Sequence, residues 1–193
     1  PEYESFHPHY NDSLSKMFFA GGKRFRPALL LGVVEAYSPL LLDGSMHIAL
    51  ALESLHTYSL IHDDLPDMDN ADLRRNTQTI HKQYNNATAI LAGDALNTYA
   101  FELIANAPLS AEVRIALVKS LSQNGGAGGM VFGQAIDCYF ENEVLNLEQV
   151  KILHKNKTGK LIACSLEMGA IIVGKKDLAK SLYNFGLDLG LLF

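Results

Sequence analysis

Cysteine, basic charge and long apolar runs are all scarce in this chain. Only two cysteines, Cys138 and Cys164, occur in 193 residues. Their separation fits neither a metal motif nor a redox motif, so both are expected to be reduced and structural, as suits a cytoplasmic protein. Lys and Arg number 16 against 21 Asp and Glu, giving a formal net charge of −5. That balance argues against a general nucleic-acid binder. The most apolar run, from Ala28 to Val34, is far too short to cross a bilayer, so no integral membrane segment is expected. No signal peptide is visible. No methionine stands at position 1, and the expectation is a chain trimmed at its start. Strand-type alternation, internal repeats and low-complexity segments are also missing.

What is present is helical. Hydrophobic residues make up 48 % of the chain, which excludes disorder, and the length suits a single domain over residues 1–193 with a sizeable core. The residues before Asp12 read as an irregular lead-in, where His7 and His9 are surface residues rather than metal ligands. Apolar spacing and breakers predict helices over residues 12–19, 25–37, 46–64, from about 91 to 105, 111–123, 130–140, 147–173, and from 176 onward. Ser45 is the expected N-cap of the third, and Lys157-Thr158-Gly159 marks a possible kink in the seventh. The glycine-rich stretch Asn124–Gly129 either lets helices approach closely or makes a turn. It is no nucleotide loop, because no strand precedes it and no Gly-Lys-Ser/Thr ends it. Gln134 and Asp137 lie three apart on one helical face, as a substrate-side network or an interhelical hydrogen bond. The predicted class is all-α, a bundle of helices around a central cavity.

One stretch stands out chemically. Asp63, Asp64, Asp67, Asp69 and Asp72 crowd the end of the third helix, where Pro66 disfavours further helix and the dipole is already negative. Two carboxylates about 5 Å apart repel by roughly 3 kcal/mol at an effective dielectric of about 20. A hard cation reverses that sign, and Mg²⁺ takes carboxylate oxygens and brings substrate phosphates with it. An EF-hand starting at Asp67 fails, because Asp72 stands where glycine is needed and Gln78 where glutamate is. A solvated acidic turn is the ordinary alternative. Against it stands the cationic company of Lys23, Arg24, Arg26, Arg74 and Arg75. Lys23 and Arg26 oppose the dipole at the start of the second helix, so they need a purpose such as an anion.

These residues carry a resemblance. The run Asp63-Asp64-Leu65-Pro66-Asp67-Met68-Asp69 followed by Asp72-Leu73-Arg74-Arg75 resembles the first aspartate-rich motif of the trans-isoprenyl diphosphate synthases. The four residues between the aspartate pair and Asp69 are similar to the bacterial farnesyl diphosphate synthase branch. Gly21-Gly22-Lys23-Arg24-Phe25-Arg26-Pro27, Gly133-Gln134-Ala135-Ile136-Asp137 and Lys157-Thr158-Gly159 match three further family motifs in order.

The resemblance implies an all-helical, usually homodimeric fold and a Mg²⁺-dependent prenyltransferase. Its substrates would be dimethylallyl or geranyl diphosphate and isopentenyl diphosphate, and its product farnesyl diphosphate. It puts metal on Asp63 and Asp69 with Asp64 in support, and puts Lys23, Arg26, His56 and Arg75 around the diphosphate of isopentenyl diphosphate. Without it, His56 would read as a packed core histidine. It turns Arg74 and Lys157 toward the allylic diphosphate and gives Thr158 and Gln134 as oxygen dipoles near the allylic carbon. Tyr58, five residues before Asp63, lies roughly 7.5 Å along the helix from the metal end. The resemblance makes an aromatic there the stop for chain growth.

The match has gaps. The family's second aspartate-rich motif should follow shortly after Phe193, and the expectation is a chain truncated ahead of it. Asn76 replaces a glycine and Asp67 is an extra acid, which puts the loop geometry in question. A longer-chain (geranylgeranyl) synthase and a non-catalytic partner subunit are the competing readings. A terpene cyclase has no need of a second diphosphate site at Lys23 and Arg26.

Overall fold

The computed structural model describes residues 3–192 and is all-α, as the helical spacing predicts. Ten helices occur among the described residues: α1 (Tyr10–Phe19), α2 (Phe25–Tyr37), α3 (Leu42–Asp63), α4 (Ile80–Gln83), α5 (Asn86–Ala105), α6 (Ala111–Gly125), α7 (Met130–Tyr139), α8 (Leu147–His154), α9 (Lys160–Ile172) and α10 (Lys176–Leu192). A 3₁₀ turn, Pro39–Leu41, leads into α3, and a π-helical turn, Lys155–Gly159, joins α8 to α9.

The chain clusters into two compact units. The first comprises the segment up to Arg24 with Glu53–Glu102. Its core is built from Leu14 and Met17 of α1, Leu55 and Ile61 of α3, Ile80, and Leu96 of α5, all buried. Each such side chain contributes about 1.5–3 kcal/mol by leaving water. The second unit comprises Phe25–Leu52 and the segment from Leu103 on. There α9 is buried along nearly its whole length, and α2, α6 and α10 pack on it. Gly186 and Gly190 let α10 lie directly on α9, since a Cβ at either would strike the backbone of Ala163 or Gly159.

Several local features differ from the expectations, among them an earlier start of α1 at Tyr10 and the short α4. α3 begins at Leu42, because Ser45 is not its cap: Ser45 sits inside the helix and donates its hydroxyl to the Leu41 carbonyl, 2.7 Å away. This is the back-bonding a mid-helix serine adopts. α5 begins at Asn86, ahead of the expected start near Leu91. Helix α6 runs through Asn124 and Gly125, leaving Gly126–Gly129 as the turn. A two-stranded antiparallel hairpin, β1 (Leu73–Arg74) and β2 (Thr77–Gln78), appears where no strand is predicted. The kink expected at Lys157 takes the form of the π-helical turn, a widening that recurs at functional sites.

Candidate active site

The acidic stretch is folded back on the end of α3. After Asp63 the helix stops, and the Asp69 N–H donates to the Asp63 carbonyl at 2.9 Å. Asn70 takes a left-handed φ of 45°, which asparagine tolerates better than most residues. The Ala71 N–H then donates to the Asp64 carbonyl at 3.2 Å. The reversal brings Asp69 beside Asp63, although six positions separate them.

Arg74 is the cation among these acids. Its Nε and Nη2 donate to Asp64 Oδ1 at 2.8 and 2.5 Å. The same Nη2 lies 3.7 Å from Asp63 Oδ2 and 3.8 Å from Asp69 Oδ2. The oxygens of Asp63 and Asp69 therefore converge on one cationic group. Asp64 is buried and locked on Arg74, whereas Asp69 is half-exposed. Burial pushes the Asp64 carboxyl above its ordinary range, and Arg74 pulls back only part of that rise. Burial works against the Arg74 charge, but Asp64, Asp63 and Asp69 outweigh it and hold the guanidinium above its ordinary value.

The hairpin separates the two arginines. Arg74 pairs with Thr77 across the ladder, and the two residues between, Arg75 and Asn76, have φ of 53° and 60°. Positive φ at both central residues is the signature of a type I′ hairpin turn. Asn76 suits its place because asparagine accepts this conformation, so the departure from glycine is accommodated. The turn sends Arg75 away from the acids. Its Nη1 donates to the carbonyls of Gly21 at 2.6 Å and Met17 at 3.2 Å, and its Nη2 lies 3.6 Å from Glu53 Oε1.

Glu53 is the centre of the basic side. This carboxylate of α3 is 5 % exposed and also accepts from Arg24, whose other nitrogen donates to the Phe18 carbonyl. Lys23 is exposed on the loop between these anchors. His56 lies one helical turn beyond Glu53 and is half-buried. Tyr58, 9 % exposed, meets His62 edge-on with ring centroids 5.6 Å apart. Burial, then Asp94, raises its hydroxyl pKa. Gly93 leaves room for the His62 ring, whose Nε2 lies 3.1 Å from the Ile90 carbonyl.

In the second unit, Arg26 is half-buried in the first turn of α2. Gln134 and Asp137 are half-buried on α7, less enclosed than the helical pattern suggests. Asp137 pairs with Lys157 on the π-helical turn, and Gln134 Nε2 donates to Cys138 Sγ at 3.4 Å. Gly133 is what lets α7 reach this turn, since a Cβ there would run into the Lys157 backbone. Thr158 is half-buried beside Lys157.

The first unit thus gathers Asp63, Asp69 and Arg74 in one cluster and sets Arg75 on the loop that carries Lys23. Sequence reasoning overlooks Glu53 and the Asp137–Lys157 pair. A charged residue on an otherwise apolar helix one turn before His56 is the signal that Glu53 offers. Among the described residues no three His, Cys, Asp or Glu side chains converge to hold a metal by themselves. Two convergent carboxylates still suit Mg²⁺, which is commonly held by one or two protein carboxylates completed by substrate phosphates and water. No helix among the described residues is long and apolar enough to cross a membrane.

Comparisons with known proteins agree on one family. The chain is 44 % identical to farnesyl diphosphate synthase of Micrococcus luteus over 194 residues, covering all of this chain and 65 % of that protein. It therefore spans about two thirds of that relative's length. A geranyltransferase structure from Helicobacter pylori superposes with a TM-score of 0.96 at 52 % identity, covering 99 % of this chain and 69 % of that one. A second structure from the same organism, complexed with magnesium and isoprenyl diphosphate, gives 0.94 at 52 % identity over 99 % and 65 % of the two chains. The polyprenyl synthetase family model matches residues 7–193, and with it the motifs above have their explanation: the chain belongs to the polyprenyl synthetase family.

Proposed function

We propose that this chain carries out head-to-tail prenyl transfer, condensing dimethylallyl or geranyl diphosphate with isopentenyl diphosphate to give farnesyl diphosphate. The observation that carries this reading is the convergence of Asp63 and Asp69 on the cationic group of Arg74. The magnesium and isoprenyl diphosphate held by the Helicobacter pylori relative support the ligand class.

Asp63 and Asp69 would hold Mg²⁺, which when bound supplies Lewis-acid neutralisation of a departing diphosphate. Arg74 adds fixed positive charge and bidentate hydrogen bonds to the same oxygens as the carbon–oxygen bond breaks. Lys157 binds the allylic diphosphate as well. Thr158 and Gln134 direct oxygen dipoles at the allylic carbon as it becomes cationic. Lys23, Arg26, His56 and Arg75 hold isopentenyl diphosphate by its diphosphate, leaving its double bond to attack that carbon. The proton lost in restoring the alkene passes to the released diphosphate. Apolar surroundings keep water from trapping the cation. Tyr58, a buried ring one and a half turns before Asp63, limits the growing chain. We also assign a homodimer, supported by exposed apolar side chains such as Leu91 and Ile115. Two cysteines with no disulfide between them support a cytoplasmic setting.

The test is product analysis with both diphosphates, with and without Mg²⁺. The expected product is the fifteen-carbon diphosphate, formed only with the metal, and Tyr58→Ala should lengthen it by at least one five-carbon unit. Binding of either diphosphate without turnover would instead support the partner-subunit reading.

A further inference from the structure

We infer that Glu53 is a positioning residue for the diphosphate of isopentenyl diphosphate, holding the Gly21–Arg24 loop and Arg75 in a preset arrangement. The inference rests on the assignment of Lys23 and Arg75 to that diphosphate. Glu53 is the counter-ion shared by Arg24 and Arg75. Both arginines have left-handed backbone, with φ of 48° and 53°. That conformation is unfavourable for a residue with a side chain, so it persists only where surrounding contacts impose it.

The contacts are visible. Arg24 is tied to Glu53 and the Phe18 carbonyl, and Arg75 to Glu53 and the carbonyls of Met17 and Gly21. Lys23 lies between these anchors. Gly22, at φ of 118°, leaves room for the guanidinium: a Cβ there would sit 2.6 Å from Arg75 Cζ. One buried carboxylate therefore sets the course of the loop and the direction of Arg75. It does so next to a site whose ligand is itself an anion.

That last point makes the inference decidable by sign. Glu53→Gln keeps the shape and removes one negative charge. If Glu53 acts only through its field, the substitution tightens diphosphate binding. If it positions cations, the substitution weakens it.

The experiment is steady-state kinetics of the full chain and its variants, varying each diphosphate separately, with thermal unfolding alongside. We expect Glu53→Gln to raise KM for isopentenyl diphosphate by about tenfold, the scale of one charge-assisted hydrogen bond. KM for the allylic diphosphate and kcat should move less than about twofold, and Glu53→Asp should restore part of the loss. A KM for isopentenyl diphosphate that stays or falls in Glu53→Gln overturns the inference. If that variant does not fold, Arg24→Gln removes a more exposed anchor of the same network. A rise in the same KM then supports the inference, and no change overturns it. Lys23→Ala separates the two levels. If it raises KM while Glu53→Gln does not, only the role of Glu53 is wrong; if Lys23→Ala also leaves KM unchanged, the diphosphate assignment falls and the inference with it.

Discussion

Two clusters of opposite charge in the first unit are built alike. The acidic cluster, Asp63, Asp64 and Asp69, is organised around Arg74. The basic cluster, Arg24 and Arg75 with Lys23 on the same loop as Arg24, is organised around Glu53. In each, like charges that would otherwise repel are drawn together by one counter-charge of the opposite sign. In each, part of the set remains exposed: Asp69 on the acidic side, Lys23 on the basic side. The type I′ turn at Arg75-Asn76 makes the pairing possible, because adjacent arginines leave it for different clusters. Each cluster stays folded by keeping an internal counter-charge.

The comparison breaks most visibly where the exposed members are removed. Asp69→Ala leaves the Arg74–Asp64 pair intact, so the chain should fold with its stability nearly unchanged. Turnover should fall by about 10²–10³-fold, the scale of losing charge stabilisation at a developing anion. Steady-state assays over a range of Mg²⁺ concentrations check this, and partial recovery at high Mg²⁺ would place the defect in metal affinity. Arg74→Gln attacks the counter-charge instead. It leaves Asp64 buried without its partner, a loss of roughly 3 kcal/mol, at the lower end of the range for broken buried pairs because Arg74 is partly exposed. Denaturant unfolding should show that loss, which Asp69→Ala should not.

How far the sequence reaches follows the same division. α1, α2, α7 and α10 were legible because apolar side chains recur at helical spacing between clear breakers. The acids at the end of α3 were legible as a cluster because repulsion at a negative helix end calls for a counter-charge, which the structure supplies as Arg74. The hairpin was not, since Arg75-Asn76 lacks the usual glycine and each strand has two residues. Ser45 misled because a serine before an apolar run reads as a cap, while Leu42 to Gly44 already had helical partners. Glu53 was silent because its partners, Arg24 and Arg75, lie 29 and 22 positions away and only folding brings them together.

The smallest expected effect sharpens the acidic side. His81 is 7 % exposed at the start of α4 and its Nδ1 lies 3.2 Å from Thr79 Oγ1. The Thr79 hydroxyl already donates to the Ala71 carbonyl at 2.8 Å, so His81 Nδ1 is the donor to Thr79 Oγ1. Burial, then Lys82, holds its pKa below the ordinary 6.5. As pH falls through this range the unfolded chain takes up a proton that the folded chain refuses. The stability due to neutral His81 is therefore present above about pH 6.5 and lost as pH falls through the depressed folded value. His81→Gln should flatten that part of the curve, measured by thermal unfolding between about pH 5 and 8.

The acidic cluster's purpose is tested most directly by a crystal structure of the protein with Mg²⁺ and a non-hydrolysable diphosphate analogue. The expected result is carboxylate oxygens of Asp63 and Asp69 at about 2.0–2.1 Å from the ion, with Arg74 hydrogen-bonded to the diphosphate. Asp63 and Asp69 directed into solvent, with the ion and the analogue bound elsewhere, would contradict it.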